Sequence, residues 1–369
     1  MTKESFNAQK LGLEIIKDLP PRSQDIIKKR YGILDNKPKT LEAIGKEYGI
    51  TRERVRQIVD SALKNLKTSQ TFSVLALFYK FCLKLFEESG GIEEGEKFVK
   101  KINESLLKGN QQAAIYFLLI LNPELEFVKE DKLYRSFWHL KTIKLEKIKK
   151  DLNSIEKYLK KEKRPLTTEE ILNFARKEID KNISENLLKV YLNISKNIER
   201  NIFGEYGLSS LDEIQPPGVG ERAYVMLKHI NKSMHFTEIA NKLNELSEKP
   251  KEAEFANTSS RWFKKVQVQT VHNELIRDPR FVLIGRGIYA LRDWGYKPGK
   301  VDDVIKEVLA KAGKPLTQKE IIDEVKKYRL AKDNTIVLNL HNKKYFKRLP
   351  DKRFTLNRKK SAQPGVLEI

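Results

Sequence analysis

Between Leu19 and Lys67 the apolar residues recur every three or four positions in three short runs, and the residues between those runs mark helix boundaries. Pro20 and Pro21 fix φ and suit a helix start, and Gly32 can take the left-handed backbone that ends it. Thr40 is the expected N-cap of a second helix, with Leu41, Ile44 and Tyr48 as its apolar positions. Gly49 allows a sharp turn, and Thr51 caps a third helix whose Val55, Ile58, Val59, Ala62 and Leu66 face inward. The pattern predicts a helix-turn-helix. On the opposite face of the third helix, Arg52 with Arg56 and Glu53 with Gln57 lie four apart, in two adjacent rows. Arg grips guanine bidentately, Gln pairs with adenine and Glu accepts from cytosine, so this face suits the base edges of duplex DNA. A face that only solvates its helix more often alternates Glu and Lys.

Beyond Gln70 the patterning repeats. RPLTTEEILNFARKEI (Arg164 to Ile179) matches KPLTQKEIIDEVKKY (Lys314 to Tyr328), with Pro165 on Pro315 and Ile171 on Ile321. The same offset of about 150 residues places Leu188 on Leu338. MHFTEIANKLNEL (Met234 to Leu246) gives a third version of the helix. Each copy follows one amphipathic helix, precedes another, and ends in an alternating segment that reads as a hairpin. The clearest is FVLIGRGIYALRDW, turned at Gly285-Arg286-Gly287. Three winged helix-turn-helix units are therefore expected. Residues 69–143 read either as a fourth, degenerate copy or as a plain helical linker domain; the third helix there is apolar at Ala114, Ile115, Phe117, Leu118, Leu119 and Ile120 and must be buried.

The predicted fold class is mainly α with small β-hairpin wings: an amino-terminal helix-turn-helix, then a tandem array of three or four winged helix-turn-helix domains. The expected boundaries are 1–67, 69–143, 144–214, 218–297 and 298–358, with a frayed tail at 359–369. Ser247 to Ser260 reads as an exposed insertion in the third unit.

Charge adds to this picture. The formal net charge is +22, a balance that favours a polyanionic partner. It is distributed as about +6 over residues 1–67, 0 over 68–143, +2 over 144–217, +5 over 218–297 and +10 over 298–360. The near-neutral middle block suits a spacer or a protein-docking surface. No segment reaches the roughly 18 apolar residues of a membrane span. No amino-terminal signal peptide is read, and the single cysteine, Cys82, fits core packing in a reducing cytoplasm. His139, His229, His235, His272 and His341 are scattered without metal-ligand spacing, although His235 and His272 fall in one unit. Neither a phosphate-binding loop nor a nucleophile elbow occurs. The expectation is a protein without catalytic residues, cofactor, metal or small-molecule ligand.

TLEAIGKEYGITRERVRQI, within Leu19 to Lys67, resembles region four of the housekeeping sigma factors of the sigma-70 family. That resemblance implies that Arg52, Glu53, Arg56 and Gln57 contact bases at the head of the Thr51-capped helix, and that Lys39, Thr40 and Arg54 lie near phosphates. It also implies RNA polymerase as a partner, because region four docks on the flap of the β subunit. In a sigma factor this module closes the chain. Here residues 68–369 follow it, and nothing in them resembles the aromatic-rich helix that captures an unpaired strand. Promoter binding is thus implied, and promoter opening is not.

Residues 218–358 resemble the HARE-type helix-turn-helix family, which includes the amino-terminal domain of the polymerase delta subunit, through RDPRFVLIGRGIYALRDWGY and VLAKAGKPLTQKEIIDEV. Secondary DNA contacts are expected from Arg286 on its turn and from the last unit, where a helix beginning near Asn334 is expected to carry Lys343 and Lys344 and to be followed by Arg348 and Arg353 near a wing. The leading expectation is a sequence-specific, DNA-binding regulator of transcription initiation. The alternatives are a delta-like accessory protein docked on core polymerase and a DNA-recognition subunit of a restriction-modification system.

Overall fold

The structure is a computed structural model that describes residues 6–67, 69–107, 109–248 and 258–357. The expected tail at 359–369 and the middle of the Ser247 to Ser260 insertion lie outside the described residues. The chain divides into two units, Met1–Glu199 with Gly204–Ser209, and Arg200–Phe203 with Ser210–Ile369.

The first unit opens with α1 (Ala8–Ile16), α2 (Pro21–Tyr31), α3 (Leu41–Tyr48) and α4 (Arg52–Leu66). Then come α5 (Ser69–Glu88), β1 (Ile92–Glu94), α6 (Gly95–Leu106), α7 (Gln112–Ile120), β2 (Leu125–Val128) and β3 (Phe137–Leu140). It closes with α8 (Leu145–Glu162), α9 (Thr168–Glu178), α10 (Glu185–Ile194), β4 (Ile198–Arg200) and β5 (Tyr206–Leu208). The small sheet of the middle block runs β1-β3-β2, all antiparallel. β1 is a third strand that hairpin signals alone do not reveal.

Residues 6–138 share one hydrophobic core. Ile16, Ile26, Ile27, Ile44 and Val55 of the head join Phe78, Phe86, Phe98, Phe117 and Trp138 in a single buried cluster. The link is α7, whose Ala114, Ile115, Phe117, Leu118 and Leu119 are buried. It packs against α1 and α2, with the Tyr31 ring 5.2 Å from Phe117 and tilted over it. The Gln9 backbone N–H donates to Gln111 Oε1 at 3.1 Å, and Ala113 N–H donates to Asn36 Oδ1 at 3.2 Å. The break read at residues 68–70 is therefore not a boundary between separate cores. An all-round apolar helix cannot face water, and the head covers the side of it that α6 and β2 leave open.

β3 shows how this core meets the next. Trp138 points into the cluster just described, while its neighbour Phe137 points to the other face, with Ile148, Leu152, Ile155, Leu188 and Tyr191 of α8 and α10. Alternation along a strand makes one sheet the wall of two cores. Cys82 of α5 is fully buried in the core that runs from Phe6 to Trp138, and burial pushes its thiol well above the ordinary range.

The second unit holds α11 (Val219–Ile230), β6 (Met234–His235), α12 (Phe236–Leu246), α13 (Val268–Arg277), β7 (Phe281–Gly285) and β8 (Ile288–Leu291). They are followed by α14 (Val301–Ala312), α15 (Gln318–Tyr328), α16 (Asp333–Leu340), β9 (Phe346–Arg348) and β10 (Phe354–Leu356). The hairpin read at Phe281 to Leu291 is present, and β6 again adds a third strand in the order β6-β8-β7. That strand order matches β1-β3-β2 of the middle block.

The internal repeat is visible in detail, with one correction. α9 and α15 start with the same capping box, Thr167 with Glu170 and Thr317 with Glu320. Leu166 bridges to Tyr206 as Leu316 bridges to Phe354. Leu338, however, is 73% exposed, whereas Leu188 is fully buried. The inward residues of α16 are Ile336 and Leu340. Leu188, Leu192, Ile198 and Tyr206 thus correspond to Ile336, Leu340, Phe346 and Phe354. The connection before α16 is two residues shorter than the one before α10, so a constant offset turns the helix away from its core.

Candidate nucleic-acid interface

The head is built as its punctuation requires. Gly32 and Gly49 are both left-handed, with φ of 60° and 64°. Thr40 Oγ1 accepts from Ala43 N–H and Thr51 Oγ1 from Arg54 N–H, each at 3.1 Å. Between the two helices the backbone closes tightly: Ile50 N–H donates to Gly45 O at 3.0 Å. A Cβ on Gly45 would stand 2.6 Å from Ile50 O, so only glycine lets α3 approach the turn. Gly45 carried no signal in the apolar periodicity; its role follows from the contact.

A polar network fixes α3 against α2. Lys29 pairs with Asp25 at 2.8 Å and Glu47 at 3.0 Å, and the Tyr48 hydroxyl donates to Asp25. Hydrogen bonds from Lys29 and Tyr48 hold the Asp25 carboxyl below its ordinary range. Lys29 also sits 4.9 Å from the centre of the Tyr48 ring.

α4 then presents its outer face. Val55, Val59, Ala62 and Leu66 are buried, and Ile58 is half-buried. Thr51, Arg52, Glu53, Arg54, Arg56 and Gln57 are all exposed and lie together within the first two turns. Arg56 is held by two carboxylates: Nε and Nη2 donate to Glu53 at 2.9 and 2.6 Å, and Nη1 donates to Asp60 Oδ2 at 2.6 Å. The guanidinium keeps the Glu53 carboxyl below its ordinary range, and Glu53 in turn raises Arg56. Arg54 Nη1 donates to Gln57 Oε1 at 3.1 Å. Asp60 is the site residue that the sequence reading missed, although its i,i+4 spacing from Arg56 was available as a signal.

Lys39 is half-buried just before α3, and its ammonium pairs with Glu47, so part of its charge is already answered. Thr40 uses its hydroxyl as a cap.

The secondary residues lie in the other unit. Arg286 is exposed on the hairpin turn beside Gly287, which has φ of 67°. Lys343 and Lys344 are exposed but not helical: α16 stops at Leu340, and both lysines occupy the turn before β9. Arg348 on β9 stands 5.9 Å from the Phe354 ring, and Arg353 lies 3.7 Å from Asp351. His235 and His272 flank the Phe236 ring, 4.5 and 4.3 Å from its centre. Among the described residues no group of three His, Cys, Asp or Glu side chains is placed to hold a metal ion, and no helix is long and apolar enough to cross a membrane.

Removing one cap tests the local build. Thr51→Ala should cost about 1 kcal/mol, read as about fivefold faster amide exchange in the first turn of α4, with distal helices unchanged.

Residues 15–68 match the family described as sigma-70, region 4. The RNA polymerase principal sigma factor HrdD of Streptomyces coelicolor is 54% identical over 54 residues, which are 15% of this chain and 16% of that protein. RNA polymerase sigma factor SigA of a Nostoc species is 44% identical over 62 residues, 17% of this chain and 16% of its own. SigA of Clostridium acetobutylicum is 44% identical over 55 residues, 15% of each chain. The chain thus spans about a sixth of the length of the curated relatives it matches. Residues 15–68, with the capped α4 and its exposed outer face, are a sigma-70 region 4 domain.

Proposed function

We propose that this protein is a non-catalytic, sequence-specific DNA-binding regulator of transcription initiation that reads a promoter-like duplex element through α4. The observation that carries the proposal is the outer edge of α4: Arg52, Glu53, Arg56 and Gln57 stand exposed on a rigidly capped helix. Helix residues reach base edges in the major groove from such a position. Arg54, Lys39 and the amino-terminal turn of α4 would meet phosphates.

The arrays around the small sheets support reading the remainder as winged helix-turn-helix units. The middle block and residues 219–291 share the order helix, strand, helix, helix, hairpin, and their sheets share a strand order. Two further copies carry matching capping boxes. The resemblance of residues 218–358 to HARE-type modules is consistent with that order. Arg286, Lys343, Lys344, Arg348 and Arg353 would add backbone contacts there.

Selection of bound duplexes from a random pool by the full-length chain tests the proposal. A single enriched motif, lost when Arg52, Arg56 and Gln57 are replaced by Ala, is the expected result. Recovery of duplexes without a common motif would remove base readout.

A second reading, docking on core RNA polymerase, is favoured by one observation. On α5 of the near-neutral block, Val74 is 44% and Leu77 69% exposed, an apolar edge beside Lys80 and Lys84. Retention of core polymerase by the wild type but not by a Leu77→Lys chain would establish that contact.

A further inference from the structure

α8 carries a basic face that the reading head does not use. Its inner residues, Ile148, Leu152, Ile155 and Leu159, are buried, and Asp151 beside them accepts from the Tyr191 hydroxyl at 2.9 Å and from Lys147 at 2.9 Å. On the outer side, Lys149, Lys150, Lys157, Lys160 and Lys161 are all exposed. At 3.6 residues per turn these five occupy roughly a third of the helix circumference and run about 18 Å along the axis. Lys147 is neutralised by Asp151. None of the five forms an ion pair within 4 Å among the described residues. Lys149 does contribute to holding Asp131 below its ordinary range, behind the Tyr134 and Leu133 backbone N–H groups.

Folding alone does not explain this face. Lys160 and Lys161 lie in the last turn, where the helix dipole favours cations. Lys149, Lys150 and Lys157 have no such support, and Lys157 sits within one turn of two like charges, an arrangement that disfavours an isolated helix. A solvating face would intersperse acids; on this stripe the only acid is Glu146, in the first turn. Duplex DNA offers one negative charge per about 1.7 Å of axis, so an 18 Å row of ammonium groups meets a matching row of phosphates.

We propose that the outer face of α8 is a second contact for duplex DNA, made to the phosphate backbone without regard to sequence. It rests on the reading of the chain as a DNA-binding protein and adds to it a separate source of affinity. α4 would supply the choice of site, and α8 the salt-dependent grip.

The test uses the full chain on two duplexes, the selected site and a scrambled version, across a salt series. A K149Q/K150Q/K157Q chain keeps helix propensity while removing three charges; a K97Q/K100Q/K101Q chain is the charge-matched control. The stripe variant should lose about tenfold on both duplexes, with the slope of log K against log salt smaller by about 2–3 and the ratio between the duplexes unchanged. K149R/K150R/K157R should bind as the wild type does. An unchanged slope in the stripe variant, or an equal loss in the control, would overturn the α8 contact while leaving base reading intact. A lost slope in the stripe variant of a chain that shows no site preference as wild type would support α8 and remove the reading head. No binding of either duplex by the wild type would overturn both. Should the triple Gln chain lose helix content, Lys157→Gln is read instead, with an expected slope change of about 1.

Discussion

Phe117→Ala should destabilise the sigma-like head and the block that follows it together. Phe117 is fully buried on α7 and packs on Tyr31 of α2, in the cluster that runs from Phe6 to Trp138. Truncating a buried Phe removes its transfer free energy and leaves a cavity, a combination that costs about 3–5 kcal/mol. Because the cavity lies between α7 and α2, the loss belongs to both. Amide exchange followed residue by residue should therefore show α1 to α4 and α5 to α7 losing protection in parallel. Faster exchange confined to α5 to α7, with the head unaltered, would show that the head folds on its own. Duplex binding should fall only as far as the folded fraction falls, because no base-facing side chain is touched.

Arg56→Ala should have the largest effect on recognition. A good bidentate contact to a base contributes about 1–3 kcal/mol of discrimination, so affinity for the selected site should fall about 5- to 150-fold. The structure adds a condition that the sequence alone did not show. Arg56 is held by Glu53 and Asp60 and must exchange those carboxylates for a base. Removing it also leaves two acids unanswered near the phosphates, so scrambled DNA should weaken too, by only a few-fold. The companion change Asp60→Asn should tighten both duplexes slightly and preserve the preference. Both measurements are titrations at one fixed salt concentration, since the phosphate contribution moves with salt. Equal losses on the two duplexes in the Arg56→Ala chain would place the side chain on the backbone and not on a base.

Much of the head was legible because its signals are local. Thr40 and Thr51 announce caps by residue type, Gly32 and Gly49 announce left-handed termini, and the spacing of Val55, Val59, Ala62 and Leu66 assigns an inner face. The outer face of α4, with Arg52, Glu53, Arg56 and Gln57, follows from the same period. The capping boxes at Thr167 and Thr317 mark two equivalent helices for the same reason. Each rule acts over four residues or fewer, and a sequence displays such distances directly.

What the tertiary structure alone decided is which surface each apolar face meets. The sequence required α7 to be buried; only the fold shows that α1 and α2 help to bury it, beside α6 and β2, and that the head and the middle block share a core. The same applies to β1 and β6, strands of three and two residues whose partners come from far along the chain. It applies to Leu338, which a constant repeat offset sends inward and a shorter connection turns to solvent. Hydrophobic attraction has no direction, so a periodic stripe states that a partner exists without naming it. Register and shared cores are settled where distant segments meet.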